Sequence, residues 1–502
     1  MVLLRRRDAL NNRITSRNKI LAALLTGVAF LLVPLLIIIL DPINIIVNYK
    51  LRLAKGTILY NILQHEMPGA RLSVYIFNIT NGDRFLTGED YKLKVEEVGP
   101  FVFQEYRWYE DLQIGEDGKT LGMTPKIRSE FVPEASIGHP KDINLTLPNL
   151  PFLSAVSVLS NYPSFIHYAF NIMAAQIGAK PTMNMDVHSY LWGYKNPLVV
   201  LCNSLVPGLV NFENFGLLDR LYDNESDYRI VVGATNQDRF KIKSVKKVMH
   251  IQTEAIHNVD ERVITFEEDT YEGGAYPPML TPDVPLNLYH MGICKTWQLE
   301  YIGSRIMEYG GEALVYTVSN KTFINNINPI TLKTYPDGLM DIDKCYYGLP
   351  FVISKAHFLD SDPKVLERID GLNPDRKEHV NEIIIDRKAS VTFDTKLSMQ
   401  LSIMLDDLSF NRGTKMISNS VIPVIHVKLD QPKMTEWTST YFVLVYQLAP
   451  YVVLCVHIVS VAIGLAFLGH ASRSLYLNST SRTREMIFQS AVDKKLLNAD
   501  RS

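Results

Sequence analysis

Residues 20–40 read ILAALLTGVAFLLVPLLIIIL, twenty-one positions without a charge. A helix rises about 1.5 Å per residue, so this stretch covers the roughly 30 Å of a bilayer's hydrocarbon core. Pro34 is tolerated in a membrane helix. Residues 442–468 read FVLVYQLAPYVVLCVHIVSVAIGLAFL, also uncharged and long enough to span with tilt. The first run follows basic residues, as a signal peptide does. It is longer than a signal's apolar core, and it meets Asp41-Pro42 where small residues should mark cleavage. The reading is therefore an uncleaved anchor, and the fold hangs between two spans.

Charge sets the expected orientation. Arg5, Arg6, Arg7, Arg13, Arg17 and Lys19 precede the first span, and Arg473, Arg482, Arg484, Lys494, Lys495 and Arg501 follow the second. Cytoplasmic flanks favour such residues, so both ends read as cytosolic. The expected segments are a cytosolic start (1–19), a span (20–40), an extracytoplasmic domain (43–440), a second span (442–468) and a cytosolic tail (469–502). Glycosylation sequons head at Asn78, Asn144, Asn224 and Asn320, all inside that domain. A fifth, at Asn478, falls on the cytosolic side and should stay bare. Ala23/Gly27 and Ser460/Gly464 are small-residue pairs that let two spans pack closely. His457 lies within the second span, where bonding across to the other helix is the simplest account.

The 502 residues carry 51 basic and 53 acidic side chains, and no long block of either sign. That balance gives no basis for a nucleic-acid partner. Four cysteines cannot make a disulfide scaffold but can supply one or two bridges.

Between the spans, Ile43 to His65 reads as a helix stopped by Met67-Pro68-Gly69. Asn81-Gly82-Asp83 reads as a turn. Short β-branched and aromatic runs follow one another, among them 72–77, 95–98, 101–103, 228–232, 245–251, 263–266, 315–318, 398–405 and 421–427. The fold class is α+β, built on a large antiparallel sheet or barrel. Residues 149–192 break the pattern. Leu153, Val156 and Leu159 repeat at helical spacing, and so do Phe165, Ile166, Ala169, Phe170, Met173 and Ala174, split by Asn161-Tyr162-Pro163. Spacing alone favours both helices burying their faces on the sheet over an exposed cap that serves ligands.

Catalytic motifs are missing. There is no Gly-x-Ser-x-Gly, no phosphate loop, no His-Glu-x-x-His and no Cys-x-x-Cys. Glu378-His379 with Glu382 reads as a solvated acidic loop. Glu96-Glu97, Glu267-Glu268 and Asp406-Asp407 are adjacent pairs that point to opposite faces of a strand. The residues make no case for an enzyme, a metal or a cofactor.

Several blocks resemble the CD36 family of class B scavenger receptors. They are Tyr75-Ile-Phe-Asn-Ile-Thr-Asn81, Lys94-Val-Glu-Glu-Val-Gly-Pro-Phe-Val-Phe103, Glu105-Tyr-Arg107, Leu191-Trp-Gly-Tyr-Lys195, Phe215-Gly-Leu-Leu218 and Gly292-Ile-Cys-Lys295. Asp341-Ile-Asp-Lys-Cys345, His357-Phe358, Ile369-Asp-Gly-Leu-Asn-Pro374 and His379 continue the series in the family's order. The chain is similar to insect-type members. The resemblance implies a lumenal or extracellular antiparallel β-barrel, a helical bundle at the membrane-distal apex and an internal apolar tunnel running toward the bilayer. It implies capture of lipids or lipoprotein particles (sterol, carotenoid or fatty acid) and their uptake into the membrane, with no chemical step. It also leaves open a lysosomal sorting receptor for a protein cargo bound at the apex, an adhesion or dying-cell receptor, and homo-oligomerisation.

The resemblance makes 149–192 the apex, reversing the preference drawn from spacing, with Phe165, Ile166, Ala169, Phe170, Met173 and Lys180 as the ligand face. It implies a disulfide between Cys294 and Cys345; the cysteines of the family's other two bridges are missing, which leaves Cys202 as a buried free thiol. Gln176 and Gly178 stand where a family member carries a lysine pair, which leans toward neutral lipids. Asp493-Lys-Lys-Leu-Leu497 fits an acidic dileucine sorting pattern, with Asp493, Leu496 and Leu497 as its marks. The implied location is the plasma membrane, with the lysosomal or endosomal membrane as the alternative.

Overall fold

The computed structural model describes residues 17–205, 214–226, 228–247, 266, 269–324, 326–327, 333–343, 346, 349–431 and 436–499. Its contacts divide the chain into a helical unit, residues 1–47 with 436–502, and a second unit of residues 48–435.

In the helical unit, Arg17–Leu40 and the helical run beginning at Glu436 and ending in Ala449–Ala499 are each long and apolar enough to cross a membrane. Their outer faces expose Leu25, Ile38, Leu454 and Ile458, a pattern suited to lipid. The two helices meet along Ile20, Ala23 and Gly27 on one and Ser460, Gly464 and Ala471 on the other. A Cβ on Gly27 would sit 2.9 Å from Leu468 Cγ and 3.1 Å from the Gly464 carbonyl oxygen. Only glycine permits that approach. Ser460 returns its hydroxyl to the Val456 carbonyl at 2.7 Å. His457 does not bond across to the other helix: its Nε2 meets no partner among the described residues.

The second unit is a sheet that closes on itself. Its strand order is Thr270–Tyr271, Leu286–His290, Lys295–Ile306, Glu312–Val318, Glu382–Asp386, Thr392–Met404, Val421–Asp430, Met67–Ile79, Leu93–Ile114, Thr120–Phe131, Tyr228–Gly233 and Ile242–Lys247. Every neighbouring pair is antiparallel except the first. A single bridge between Lys241 and Tyr271 brings the two ends of this order together, so the sheet is nearly a closed barrel. Bringing the end strands together leaves little open edge to recruit other strands. Alternation drives the packing: Leu72, Val74 and Ile76 on one strand and Leu397, Met399, Leu401 and Ile403 on another are all buried.

Three local readings change. Ile43 to His65 is not one helix but two, Pro42–Lys50 and Ile58–Gln64. The second starts afresh because the Thr57 side chain accepts the Tyr60 N–H. Met67-Pro68-Gly69 opens the first strand rather than a loop. Asn81-Gly82-Asp83 leads into a short helix, Gly82–Thr87. The expected strand at 263–266 falls almost wholly outside the described residues.

Arg239 fastens one end of the barrel. It is 1% exposed and gives its guanidinium N–H groups to the carbonyls of Tyr276 (2.7 Å), Leu51 (3.3 Å) and Ala389. Burial lowers its pKa to about 10, so it keeps its charge at neutral pH.

Residues 144–186 add a helical hairpin whose buried side chains continue the barrel core. Asn144–Pro148 and Thr182–Asp186 pair as an antiparallel neck. Between them rise the helices Leu150–Leu159 and Ser164–Gln176. Asn149 caps the first, accepting the Phe152 N–H, while its amide donates to the Lys180 carbonyl at 2.9 Å and ties the two feet together. The first helix buries Leu150, Phe152, Leu153 and Val156; the second buries Phe170 and Ala174.

Candidate functional site

The barrel strands and the segments packed on them line a cavity of about 390 Å³ that is partly open to solvent. That is within the usual range for small-molecule sites. Its walls come from the inward positions of the central strands, notably Leu72, Leu397, Met399, Leu401, Ile425 and Val427. Strand pairing sets Leu72 beside Leu429, Met399 beside Val427 and Leu401 beside Ile425, so these side chains share one inner surface. Glu105, 3% exposed, is the buried charge of the cavity. Its carboxylate accepts from the Tyr222 hydroxyl at 2.9 Å and from the Arg107 guanidinium at 3.1 and 3.2 Å. The pair is therefore neutral overall and its lone pairs are used.

None of the six residues expected to form the ligand face lines this cavity. They do not form one face either. Phe170 is buried and stacks on Phe152 at 6.0 Å, and Met173 packs on the core. Phe165 and Ala169 are exposed, Ile166 is half-buried, and Lys180 is exposed at the foot of the neck. Phe165 and Phe170 lie five positions apart, on opposite sides of a 3.6-residue turn. The exposed apolar stripe is instead Phe165 and Tyr168, each 71% exposed, with Ala169 and Ile172. Tyr168 and Ile172 follow Phe165 at three and seven positions, a spacing that was present in the sequence. On its other side the helix is fixed by His167, which stacks on Phe410 at 3.9 Å, and by Asn171, which donates to the Phe410 carbonyl at 3.0 Å.

A second polar site lies within the folded wall. Glu97, His357, His379 and His426 converge, with the ligand-capable atoms of the three histidines within 4.8 Å of one another. Residues 356–381 supply two of the histidines. There Ile369–Asp370 pairs with Leu93–Lys94, and a Cβ at Gly371 would sit 1.9 Å from the Val95 carbonyl oxygen. Only glycine lets this strap lie so close, at a φ of +100°. His379 is therefore buried, not part of a solvated acidic loop as its neighbours Glu378 and Glu382 suggested.

The hydrogen bonds decide what this cluster is. His357 Nδ1 accepts the Asn373 N–H at 3.0 Å, and His379 Nδ1 accepts the Asp375 N–H at 3.2 Å. A neutral imidazole has one acceptor nitrogen, so in each ring Nε2 carries the hydrogen. His426 Nδ1 lies 2.6 Å from Glu97 Oε1 and His357 Nε2 lies 3.2 Å from the same oxygen. These rings turn N–H groups toward a carboxylate, not lone pairs toward a cation. Burial pushes the Glu97 carboxyl up, but the hydrogen bonds from His357 and His426 and their charge attraction outweigh it and bring it down to about 2. Burial, then repulsion from His357, His426 and Lys428, lowers His379 to about 4. Burial also lowers His426, against the pull of Glu97.

Ser398 Oγ is 2.7 Å from His426 Nε2, so Ser398, His426 and Glu97 have the connectivity of a hydrolytic triad. The serine is 2% exposed, the histidine is equally buried, and neither lines the cavity. A nucleophile needs space for a carbonyl beside it. The network is built to hold the strap on the barrel.

The remaining expected positions are spread over the surface. Asn144 is exposed. Asn78 is half-buried and its Oδ1 accepts the Thr146 N–H at 2.9 Å, and Asn320 is exposed with its Oδ1 taken by Lys355 Nζ. Cys294 is disulfide-bonded. Cys345 and the side chains of Cys202, Asn224, Asp493, Leu496 and Leu497 lie outside the described residues.

The profile described as the CD36 family matches residues 21–474. The chain belongs to the CD36 family. Relatives of this CD36-family chain include scavenger receptor class B member 1 of Bos taurus, 24% identical over 430 residues that cover 83% of this chain and 82% of the relative. The Mus musculus protein of the same name is 26% identical over 70% of this chain and 69% of the relative. Lysosome membrane protein 2 of Mus musculus is 24% identical over 84% of this chain and 87% of the relative.

Proposed function

We propose that this CD36-family protein is a membrane receptor that takes lipid molecules into its barrel and passes them on to the membrane, without chemical change. The carrying observation is the cavity of about 390 Å³, lined mostly by apolar side chains of the barrel-shaped sheet. Apolar lipid surface costs roughly 25 cal/mol per Å² in water. A nearly closed ring of strands covers that surface while offering little edge for aggregation. The names of the relatives, a scavenger receptor and a lysosome membrane protein, support a receptor role in a membrane.

In this reading both chain ends are cytosolic, the unit between the spans is extracytoplasmic, Cys294 pairs with Cys345, and exposed Asn144 is a glycosylation site. The protein acts at the plasma membrane, with the lysosomal membrane as the alternative if 493–497 acts as a sorting signal. The apolar stripe Phe165, Tyr168, Ala169 and Ile172 supports a division of labour, in which the helical hairpin captures a lipid-bearing particle and the barrel holds the extracted molecule. The same stripe favours the second reading, docking of a protein cargo.

The test is native mass spectrometry of the purified full-length protein with lipid extraction, alongside fluorescent-lipid uptake in transfected cells. Lipid recovered from the protein and uptake above untransfected cells are expected. A lipid-free protein that takes up none would overturn the lipid reading, and pulldown of a lumenal protein in that case would favour the cargo reading.

A further inference from the structure

The cavity is not uniformly apolar: its chemistry changes along the strands. On Thr392–Met404 the inward positions run from Thr395 to Leu397, Met399 and Leu401, and on the neighbouring strand from Ile425 through Leu429 to Gln431. Leu397 lies opposite Leu429, and the Gln431 N–H donates to the Thr395 carbonyl at 2.9 Å. Thr395 and Gln431 thus mark one end. Pairing of Arg71 with both Asp430 and Gln104, and of Met67 with Arg107, carries Arg107 and Tyr109 to the same end. The Tyr109 hydroxyl donates to Glu272 Oε1 at 2.5 Å, and Thr392 donates to the Gly273 carbonyl, which brings residues 272–274 there as well.

Among the described residues, the carboxylates and cations at this end do not all pair off. Arg107 is matched by Glu105 at 3.1 Å. Glu272 receives the Tyr109 hydroxyl and the Gly274 N–H at 3.0 Å, and no cationic side chain pairs with it among the described residues. Its carboxylate has acceptor sites beyond those two bonds. A hydroxyl entering the polar end can donate to it. A carboxylate or sulfate entering there meets a like charge in a partly desolvated cavity.

Resting on the barrel-cavity reading above, we propose that the polar end around Tyr109, Glu272, Thr395 and Gln431 is a head-group subsite that selects lipids with an uncharged hydroxyl head over anionic ones. The apolar wall of Leu397, Met399 and Leu429 takes the tail. Glu272 is the selecting residue, through its charge.

The experiment uses the full-length protein in detergent at pH 9, where oleate is ionised. Oleyl alcohol and oleate, which share one tail, compete with a bound fluorescent lipid. Oleyl alcohol should bind at least about tenfold tighter. Glu272→Gln should cut that ratio to about threefold or less, mainly by strengthening oleate. Glu308→Gln, which removes an exposed carboxylate that does not line the cavity, should preserve the preference. Oleate binding as well as the alcohol, or Glu272→Gln shifting both probes equally, would overturn the proposal and leave the cavity reading standing. If neither probe displaces the reporter from protein that melts cooperatively, the cavity reading fails as well.

Discussion

The helix Ser164–Gln176 and the strand Thr392–Met404 are both thirteen residues long and both rich in apolar side chains. The strand buries every residue from Leu397 to Ile403, while the helix buries two and turns Phe165 and Tyr168 outward. The difference is one of closure. Hydrogen bonds around the barrel fix its diameter, so side chains facing inward cannot all meet, and apolar space remains within. The helix has a neighbour on one side only, Leu150–Leu159 and the loop at Phe410, so the rest of its circumference stays uncovered. Apolar surface can thus be available for ligands in two ways: enclosed because a ring cannot collapse, or exposed because no second layer covers it.

The largest test of this contrast is within the helical hairpin itself. Phe152→Ala should cost about 3–5 kcal/mol in thermal or denaturant unfolding, because the ring fills a buried site against Phe170. On the barrel side, Arg239→Met should cost about 3 kcal/mol, because it leaves the carbonyls of Tyr276, Leu51 and Ala389 without their donor. Met399→Trp should fill the cavity, weakening lipid binding by at least about tenfold (roughly 1.4 kcal/mol) while the fold persists. If uptake is unchanged in that variant, the barrel is not where lipid is held.

Acid should separate the two regions. His379 and His426 are held neutral when folded, with His379 at about 4 against an ordinary 6.5. The unfolded chain therefore binds their protons first, and the stability they contribute, complete above pH 6.5, is lost as pH falls toward 4. Glu97, at about 2 against 4.5, contributes above pH 4.5 and loses its contribution below that. Between pH 7 and 5.5 the His379 effect alone is about 1 kcal/mol. Hydrogen exchange should quicken over 356–381 and not over 150–176. Equal loosening of both would place the acid response elsewhere. The smallest effect is expected at the stripe: Phe165→Ser with Tyr168→Ser should change stability by less than about 0.5 kcal/mol, yet reduce particle or cargo capture. Loss of folding in that variant would mean the stripe is covered.

Much of the architecture was legible in the residues. Uncharged length marks the two helices of the helical unit, and period-two runs such as 421–427 mark barrel strands. Ala23, Gly27, Ser460 and Gly464 announced their own contact, because helix packing in a membrane depends on small residues spaced within one helix. The hairpin was visible too, from Asn161-Tyr162-Pro163 and the helical spacing on either side. Which of its sides would be covered was not, since spacing describes one helix and burial depends on what lies against it.

The candidate site divides in the same way. By itself the sequence determined the two long apolar helices, the alternating strands and the order of family blocks, because these follow from local spacing of side chains along one element. Tertiary structure alone decided that Glu97, His357, His379 and His426 meet, although they are spread over more than 300 positions of chain. It decided that Glu105 and Arg107 face a void, and that Glu272 meets Tyr109 on its lining. Strand pairing and ring closure create those neighbours, and neither is encoded in any short stretch of residues.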